Sequence, residues 1–447
     1  MTIAKPSVQF NVALHKVTGG TGPVPAPSRH PGAGAQDAGA APRADIRLSL
    51  HEDLGAVAEE WRMFEKRADY TPFQTFEWLA AWQRHIGVLQ GVRPAIIFAR
   101  RRDGVLLFVL PLAVGGRGLV RRLTWLGADL ADYNAPLLSP DFSRTLEASQ
   151  FAPLWREAIA LIGKTPRLRF DLVDLRKMPE TIDGQRNPFL DLVVAPNPSG
   201  AHKVALDPSW DNFYGKRSSA TRRRDRTKLN RLAAIGEVCF VEPQTDHDIR
   251  QTLETLFEQK ARSFAHMGVR NLFAQPGYRD FYLDIALDPA LRQTVHVSRL
   301  QVGPHLVATN LGLTLNGCYY YLLASYGDGE LARFGPGAAH LRELLRHAIE
   351  RGFHHFDFTI GDEAYKRDWC DEEMKLYDHS AAATARALPV VLANFMLRGT
   401  KRFIKQTPVL WRTVSKARAL AGTLRLKVKP PTSAPWKQKH PGNQSGH

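Results

Sequence analysis

The sequence predicts an α/β protein of two subdomains, each a mixed sheet flanked by helices, and three observations predict it. From Gly317 to Trp369 an apolar aromatic strand, a Gly-Pro-Gly turn, an amphipathic helix and a second strand follow one another. The order hairpin, short strand, helix, strand occurs once in the first half of the chain and again in the second, with almost no identity between the copies. Hydrophobic residues are 44% of 447 positions and charged residues 23%, which suits a globular chain able to bury two ordinary cores.

Residues 1–44 read as a disordered leader, because 18–44 are rich in Gly, Ala and Pro and no apolar run suited to a secretory signal follows the first lysine. The first subdomain is expected over 45–195. Ile46 to Leu50 alternates like a strand, Leu54 to Phe64 has helical spacing, and Phe73, Phe76, Trp78, Leu79 and Trp82 form the core stripe of a second helix after Pro72. Pro94 to Ala99 and Val105 to Val114 flank Asp103-Gly104, a hairpin signal. Leu123 to Leu126 is a short strand, and Asp132, Tyr133 and Asn134 lie just beyond it. That trio suits either an acceptor site or a capping and turn cluster. Leu146 to Ile162 reads as a helix, and Leu168 to Leu175 as a strand centred on Phe170-Asp171.

In the second subdomain, expected over 196–380, Val295 to Gln301 and Leu306 to Leu315 form the hairpin, and Phe356-Asp357 takes the place of Phe170-Asp171. Cys318 to Ser325 is the apolar strand. Pro336 opens a helix whose apolar positions run to Ile349, Gly352 suits a left-handed C-cap, and His355 to Thr359 alternates as the next strand. A helix N-terminus offers N–H groups and a positive dipole end, and Gly335 and Gly337 let an anion approach the backbone, so the turn suits a pyrophosphate as well as a plain tight turn. The first copy has no such glycine pair, so a donor belongs to the second copy. Ile249 to Phe264 and Tyr278 to Leu287 read as covering helices. Lys216 to Arg231 carries eight basic residues and one acid, with Arg217 and Arg224 near one helical face; the segment suits anion contact or a solvated face.

Lys and Arg number 60 against 44 Asp and Glu, yet thirteen of the basic residues and no acid fall from Ser380 to His447. The body is nearly neutral, and the tail over 381–447 carries the charge. The tail mixes Val390, Phe395 and Trp411 with Arg398, Lys401 and Arg412, a pattern that suits an interfacial helix on an anionic membrane or a cover on the second subdomain. Three cysteines without a CxxC pair argue against a disulfide framework and for a reducing cytoplasm. The histidines lack the spacing of a metal motif, so no metal is expected.

The run from Gly335-Pro336-Gly337 through the helix to FDFTIGDEAYK, preceded by KRSSATRRRDRTKLNRL at Lys216 to Leu232, resembles a known family. It is similar to the GNAT-superfamily acetyltransferases of bacterial cellulose and exopolysaccharide biosynthesis, the CelD/BcsL type, which are relatives of the FemABX peptidyltransferases. The resemblance covers about residues 45 to 380. Of the phosphate signature Q/R-x-x-G-x-G/A, Gly335 and Gly337 fit, whereas Ala332 stands where Gln or Arg is usual and Arg333 is one position late. The resemblance implies tandem GNAT-like (acyl-CoA N-acyltransferase) subdomains, acetyl-CoA as co-substrate, and direct transfer to an amine or hydroxyl of a small molecule or saccharide. The donor set is then Arg333, Gly335, Gly337 and Ala338, and the acceptor side holds Asp132, Tyr133, Asn134, Arg217, Arg224 and Asp357. Asp362 or Glu363 is the expected base, Tyr365 or Tyr326 the acid for the leaving thiolate, and Lys366 the holder of an anionic substrate group. A FemABX-like aminoacyl transferase gripping tRNA through Lys216 to Arg231, and a non-catalytic adaptor of a polysaccharide assembly, are the other expectations.

Overall fold

Two seven-position sheets, each interrupted by helices on its faces, organise the chain in the computed structural model, which describes residues 45–116, 119–361, 363–394 and 396–397. The leader and most of the basic tail lie outside the described residues.

The first half runs β1 (Ile46–His51), α1 (Ala58–Glu65), α2 (Phe76–Trp82), β2 (Arg93–Arg101), β3 (Leu106–Gly115), β4 (Arg122–Trp125), the two-residue β5 (Leu137–Leu138), α3 (Phe142–Thr145), α4 (Ala148–Lys164) and β6 (Leu172–Pro179). A small hairpin, β7 (Thr181–Ile182) with β8 (Gln185–Arg186), and the short β9 (Val194–Pro196) follow. The second half runs β10 (Ala201–Ala205), α5 (Trp210–Gly215), α6 (Ser219–Ala233), β11 (Val238–Val241), α7 (Asp246–His266), α8 (Tyr278–Leu287), β12 (Val295–Val302), β13 (His305–Leu315), β14 (Cys318–Tyr326), α9 (Pro336–Glu350), β15 (His355–Ile360), β16 (Glu372–Met374) and β17 (Leu376–Ala382).

The sheets are built alike. One has the order β1-β2-β3-β4-β6-β17-β9 and the other β11-β12-β13-β14-β15-β10-β16, and in each a parallel pair (β4 with β6, β14 with β15) sits among antiparallel ones. One strand crosses between the halves: β17 of the second half inserts between β6 and β9 of the first sheet, whereas β10 stays with its own half between β15 and β16. The units expected over 45–195 and 196–380 are therefore laced together by the crossing of β17. Asp378 of β17 fastens this crossing by accepting from the Lys177 backbone N–H at 3.0 Å and from Asn197 Nδ2 at 2.8 Å. An apolar seam adds to this, with Trp78 of α2 meeting Phe281 of α8 edge to face at 4.9 Å, a pairing worth about 0.5–1.5 kcal/mol beyond its buried area.

Matching the sheets by register corrects one expectation. Ile360 pairs with Ala201 where Met178 pairs with Tyr377, and Asp357 pairs with Lys203 where Leu175 pairs with His379. The counterpart of Asp357 is thus Leu175, not Asp171. The strand begins only at Leu172, because Pro166–Leu168 forms a separate turn of helix first. Asp171 instead accepts from the Arg121 N–H at 2.9 Å and from Thr384 Oγ1 at 2.8 Å.

At matched bulges, Lys177 and Thr359 have φ of 58° and 57°. A β-branched residue rarely adopts this left-handed conformation, so its surroundings must hold Thr359 there.

Candidate active site

The glycine turn has the conformation its residues demand. Gly335 has φ +73° and caps α9, Pro336 takes the first helical position, and the Ala338 and Ala339 N–H groups close on the Gly335 carbonyl at 3.1 and 3.2 Å. Space is a second reason for both glycines. A Cβ on Gly335 would stand 2.9 Å from Lys228 Cδ, and one on Gly337 would stand 2.8 Å from Tyr326 Cδ1. Lys228 of α6 and the 49%-exposed Tyr326 therefore flank the turn, and Arg333 is exposed with its guanidinium over Phe334 at 4.8 Å.

Beside this turn the parallel pair opens. β14 and β15 are in register only from Cys318–His355 to Tyr320–Asp357. Beyond that the strands part, spanned by one bond from Thr359 Oγ1 to the Tyr321 carbonyl at 3.3 Å. Asp357 thus stands at the fork.

A buried polar cluster gathers there. Asp357 Oδ1 accepts from the Tyr133 hydroxyl at 2.6 Å and from the Thr359 N–H at 2.7 Å. Burial pushes its carboxyl up to about 6, against the lowering effect of those bonds. The Tyr133 phenol is held well above its ordinary range by burial and then by Asp357, so it stays a donor. Lys366 Nζ donates to the carbonyls of Thr359 at 3.2 Å and Ile360 at 3.1 Å, and pairs with Glu363 at 3.0 Å. The strained backbone at Thr359 is what turns these carbonyls to the ammonium. Half-buried Asp132 has a carboxyl raised by burial and lowered by Lys177, Thr359 and Lys366.

Lys260 completes the cluster, and nothing in the sequence reading singled it out. It occupies the buried stripe of α7 among Leu253, Leu256, Phe257 and Phe264. Burial brings its ammonium down to about 7, while Glu363 and Asp132 pull it back up. A lysine in an apolar stripe is the signal that a sequence reader would have needed.

Other expected site residues divide. Asn134 is spent on backbone, its N–H bonding the Lys177 carbonyl and its Nδ2 the Arg176 carbonyl, both at 3.0 Å. Arg217 binds the Trp369 carbonyl at 2.8 Å and Asp371 at 3.1 Å, and Arg224 binds Asp368 at 2.8 Å. These arginines meet partners within the chain and tie α6 and the link before it to the loop after β15, where Trp369 stacks on Phe213 at 6.3 Å. Asp225, the acid of the basic segment, anchors α6 to α9 through Arg342 at 3.0 Å. Tyr365 is half-buried and its phenol is held well above its usual range by burial, so it remains a proton donor. Asp362 lies outside the described residues. Burial likewise pushes up the thiols of Cys318 and Cys370, which removes their nucleophilic form at neutral pH.

Residues 219–367, from the start of α6 to Arg367, match the model of the acetyltransferase (GNAT) domain. No curated protein matches the chain by sequence. Among solved structures, FemX is similar in fold, with a TM-score of 0.51 and 12% identity over 74% of this chain and 96% of that one. L-PGS from Bacillus licheniformis gives a TM-score of 0.44 and 14% identity over 73% of this chain and 96% of that one. A tandem GNAT protein from the clavulanic acid biosynthesis pathway gives 0.42 and 12% over 76% of this chain and 99% of that one. The fold is an α/β architecture of two similarly built mixed sheets flanked by helices, and the match to the acetyltransferase (GNAT) domain falls within its second unit.

Proposed function

We propose that the protein transfers an acyl group, most simply acetyl, from CoA to an amine or hydroxyl acceptor at the junction of its two sheets. One observation carries this reading: the strand opening flanked by the Gly335–Gly337 turn begins at Asp357, where the polar cluster reaches across to Tyr133 of the other unit. The turn would receive the pyrophosphate, with Arg333 and Lys228 as nearby cations, and the thioester would extend into the opening. The acceptor lone pair attacks the thioester carbonyl, the C–S bond breaks, and no covalent enzyme intermediate forms. Its proton passes to Glu363 or Asp362, and Lys260, held close to neutrality beside Glu363, is suited to share it. Tyr365 or Tyr326 protonates the departing thiolate, and Lys366 fixes the bulged backbone as well as balancing Glu363. Asp132 and Tyr133 line the acceptor side.

For the acceptor we favour a saccharide precursor in exopolysaccharide or cellulose biosynthesis, at the cytoplasmic face of the membrane. No helix among the described residues is long and apolar enough to cross a membrane. Where the tail is described, a helix beginning at residue 388 leaves Leu388, Leu392 and Met396 exposed, which favours surface contact over a structural cover.

The likeness to FemX and the exposed Arg223, Arg226 and Arg231 of α6 support a second reading, aminoacyl transfer from tRNA. Thiol release from acetyl-CoA across a panel of amino and hydroxyl sugars, run beside transfer from charged tRNA, separates the two. CoA release that depends on a sugar supports the first, transfer from tRNA alone replaces it, and binding of neither donor leaves an adaptor.

A further inference from the structure

At the end of α9 remote from the glycine turn, three side chains with metal-ligating atoms converge from separate elements. Glu242 follows β11, His296 is the second residue of β12, and His347 lies in the last turn of α9. His296 Nε2 is 3.4 Å from Glu242 Oε2, and His347 Nδ1 is 3.5 Å from Glu242 Oε1. The two imidazoles stack with centroids 4.8 Å apart, and one donor atom from each residue lies within 4.8 Å of the other two. It is the one such group of three among the described residues. We propose that Glu242, His296 and His347 bind a divalent transition-metal ion of the zinc class and that the ion ties α9 to the sheet.

The spacing favours an ion over direct pairing. Charge-assisted N–H···O bonds settle at about 2.7–2.9 Å, shorter than either contact here. Nitrogen and oxygen ligands at about 2.0–2.1 Å around a tetrahedral zinc stand about 3.4 Å from one another. Two imidazoles with a single carboxylate suit zinc, cobalt or nickel, whereas calcium and magnesium require oxygen sets.

An outer layer supports the first. His296 Nδ1 lies 2.8 Å from the Tyr319 hydroxyl, which also accepts from Asn310 Nδ2 at 2.7 Å. That contact fixes the ring and directs Nε2 toward Glu242, as the outer partners of metal-bound histidines do. Phe240 covers the group, its ring 6.4 Å from His296 and 5.4 Å from His347. All three ligands remain partly exposed, Glu242 most at 27%, which leaves an approach for the ion and for a fourth, solvent ligand. Arg351 is the competing cation, but its contact with Glu242 is 3.5 Å and its side chain is 62% exposed, so it can withdraw.

Such a site was not legible in the sequence, because 54 residues separate Glu242 from His296 and 51 separate His296 from His347. It is independent of the acyl-transfer reading and makes no claim on the chemistry.

The full-length protein, stripped with chelator, is dialysed against Zn²⁺ and its metal content measured, with Co²⁺ as the spectroscopic probe. The proposal expects one tightly held ion per chain and a rise in thermal midpoint on Zn²⁺ addition. Affinity should fall at least tenfold in Glu242→Gln, His296→Gln and His347→Gln, and be unchanged in His305→Gln, an exposed histidine elsewhere. Absence of stoichiometric binding, or equal affinity in the His296→Gln/His347→Gln double variant, overturns it. If the variants do not fold, the wild-type Co²⁺ complex decides by proton NMR. Two paramagnetically shifted, exchangeable imidazole N–H signals are expected, one per ligating histidine, and none would refute the site.

Discussion

Replacing Lys260 by Met should remove a pH dependence of stability that this one side chain creates. In the folded protein burial holds the ammonium at about 7, whereas in the unfolded chain it titrates at about 10.4. Because the folded value is lowered, the unfolded chain binds more protons between these limits, so stability rises with pH across that window. From pH 7 to 9 the gap covers somewhat under two full proton-units of pH, and at 1.36 kcal/mol per unit the rise is about 2 kcal/mol. Cys318 and Cys370, whose thiols are raised by burial, act in the opposite sense toward pH 9, but equally in both proteins. Met fills nearly the same stem volume in the apolar stripe of α7 without the charge. Urea unfolding at pH 7, 8 and 9 gives the comparison: wild type should gain about 2 kcal/mol relative to the variant. Parallel curves would show that Lys260 is not desolvated and would remove it from the site. Turnover of the variant should fall if Lys260 shares the acceptor proton.

Tyr133→Phe deletes the 2.6 Å bond that lowers the Asp357 carboxyl. That carboxyl, already at about 6, should climb further, moving the acidic limb of the pH–rate profile up by about one unit; an unmoved limb would detach Asp357 from the chemistry. The same raised value makes Asp357 favour the folded state fully below about pH 4, an advantage lost as pH passes about 6, so Asp357→Asn should flatten stability over that interval in acid unfolding curves. Of Glu363→Gln and Asp362→Asn, at least one should lower turnover by about a hundredfold with donor affinity near normal. Full activity in both would move the base to Asp132 or water. Ending the chain at Ala387 should abolish salt-sensitive sedimentation with acidic vesicles, since each Lys or Arg near such a surface contributes about 1 kcal/mol; aggregation instead would make the tail a cover.

How much was legible follows from what the sequence signals physically. The 3.6-residue stripe of α9, its Pro start and Gly352 at φ +78° sit where periodicity and capping put them. The hairpins and the doubled order were equally open to reading. The crossed strand β17 was not, because a short strand that joins the other half's sheet carries no local mark of which sheet it enters. For the site, Tyr133 and Asp357 were separate candidates in the sequence, and their mutual bond is a property of the junction. Arg217 and Arg224 looked like anion binders because their acids, Asp371 and Asp368, lie more than 140 residues away. Thr359 gives no sequence sign of its left-handed backbone, since that conformation is imposed by the bulge opposite Ala201 and Lys203.

Calorimetric titration of acetyl-CoA into the full-length protein and into Gly337→Val tests the central claim most directly. The nearest atoms to the substituted Cβ would be those of the Tyr326 ring, an exposed side chain able to rotate, so the fold should survive while the approach of a phosphate to the turn is blocked. The account predicts one acetyl-CoA site per wild-type chain and at least tenfold weaker binding in the variant, about 1.4 kcal/mol. Absent binding in wild type, or equal affinity in a folded Gly337→Val protein, would contradict it.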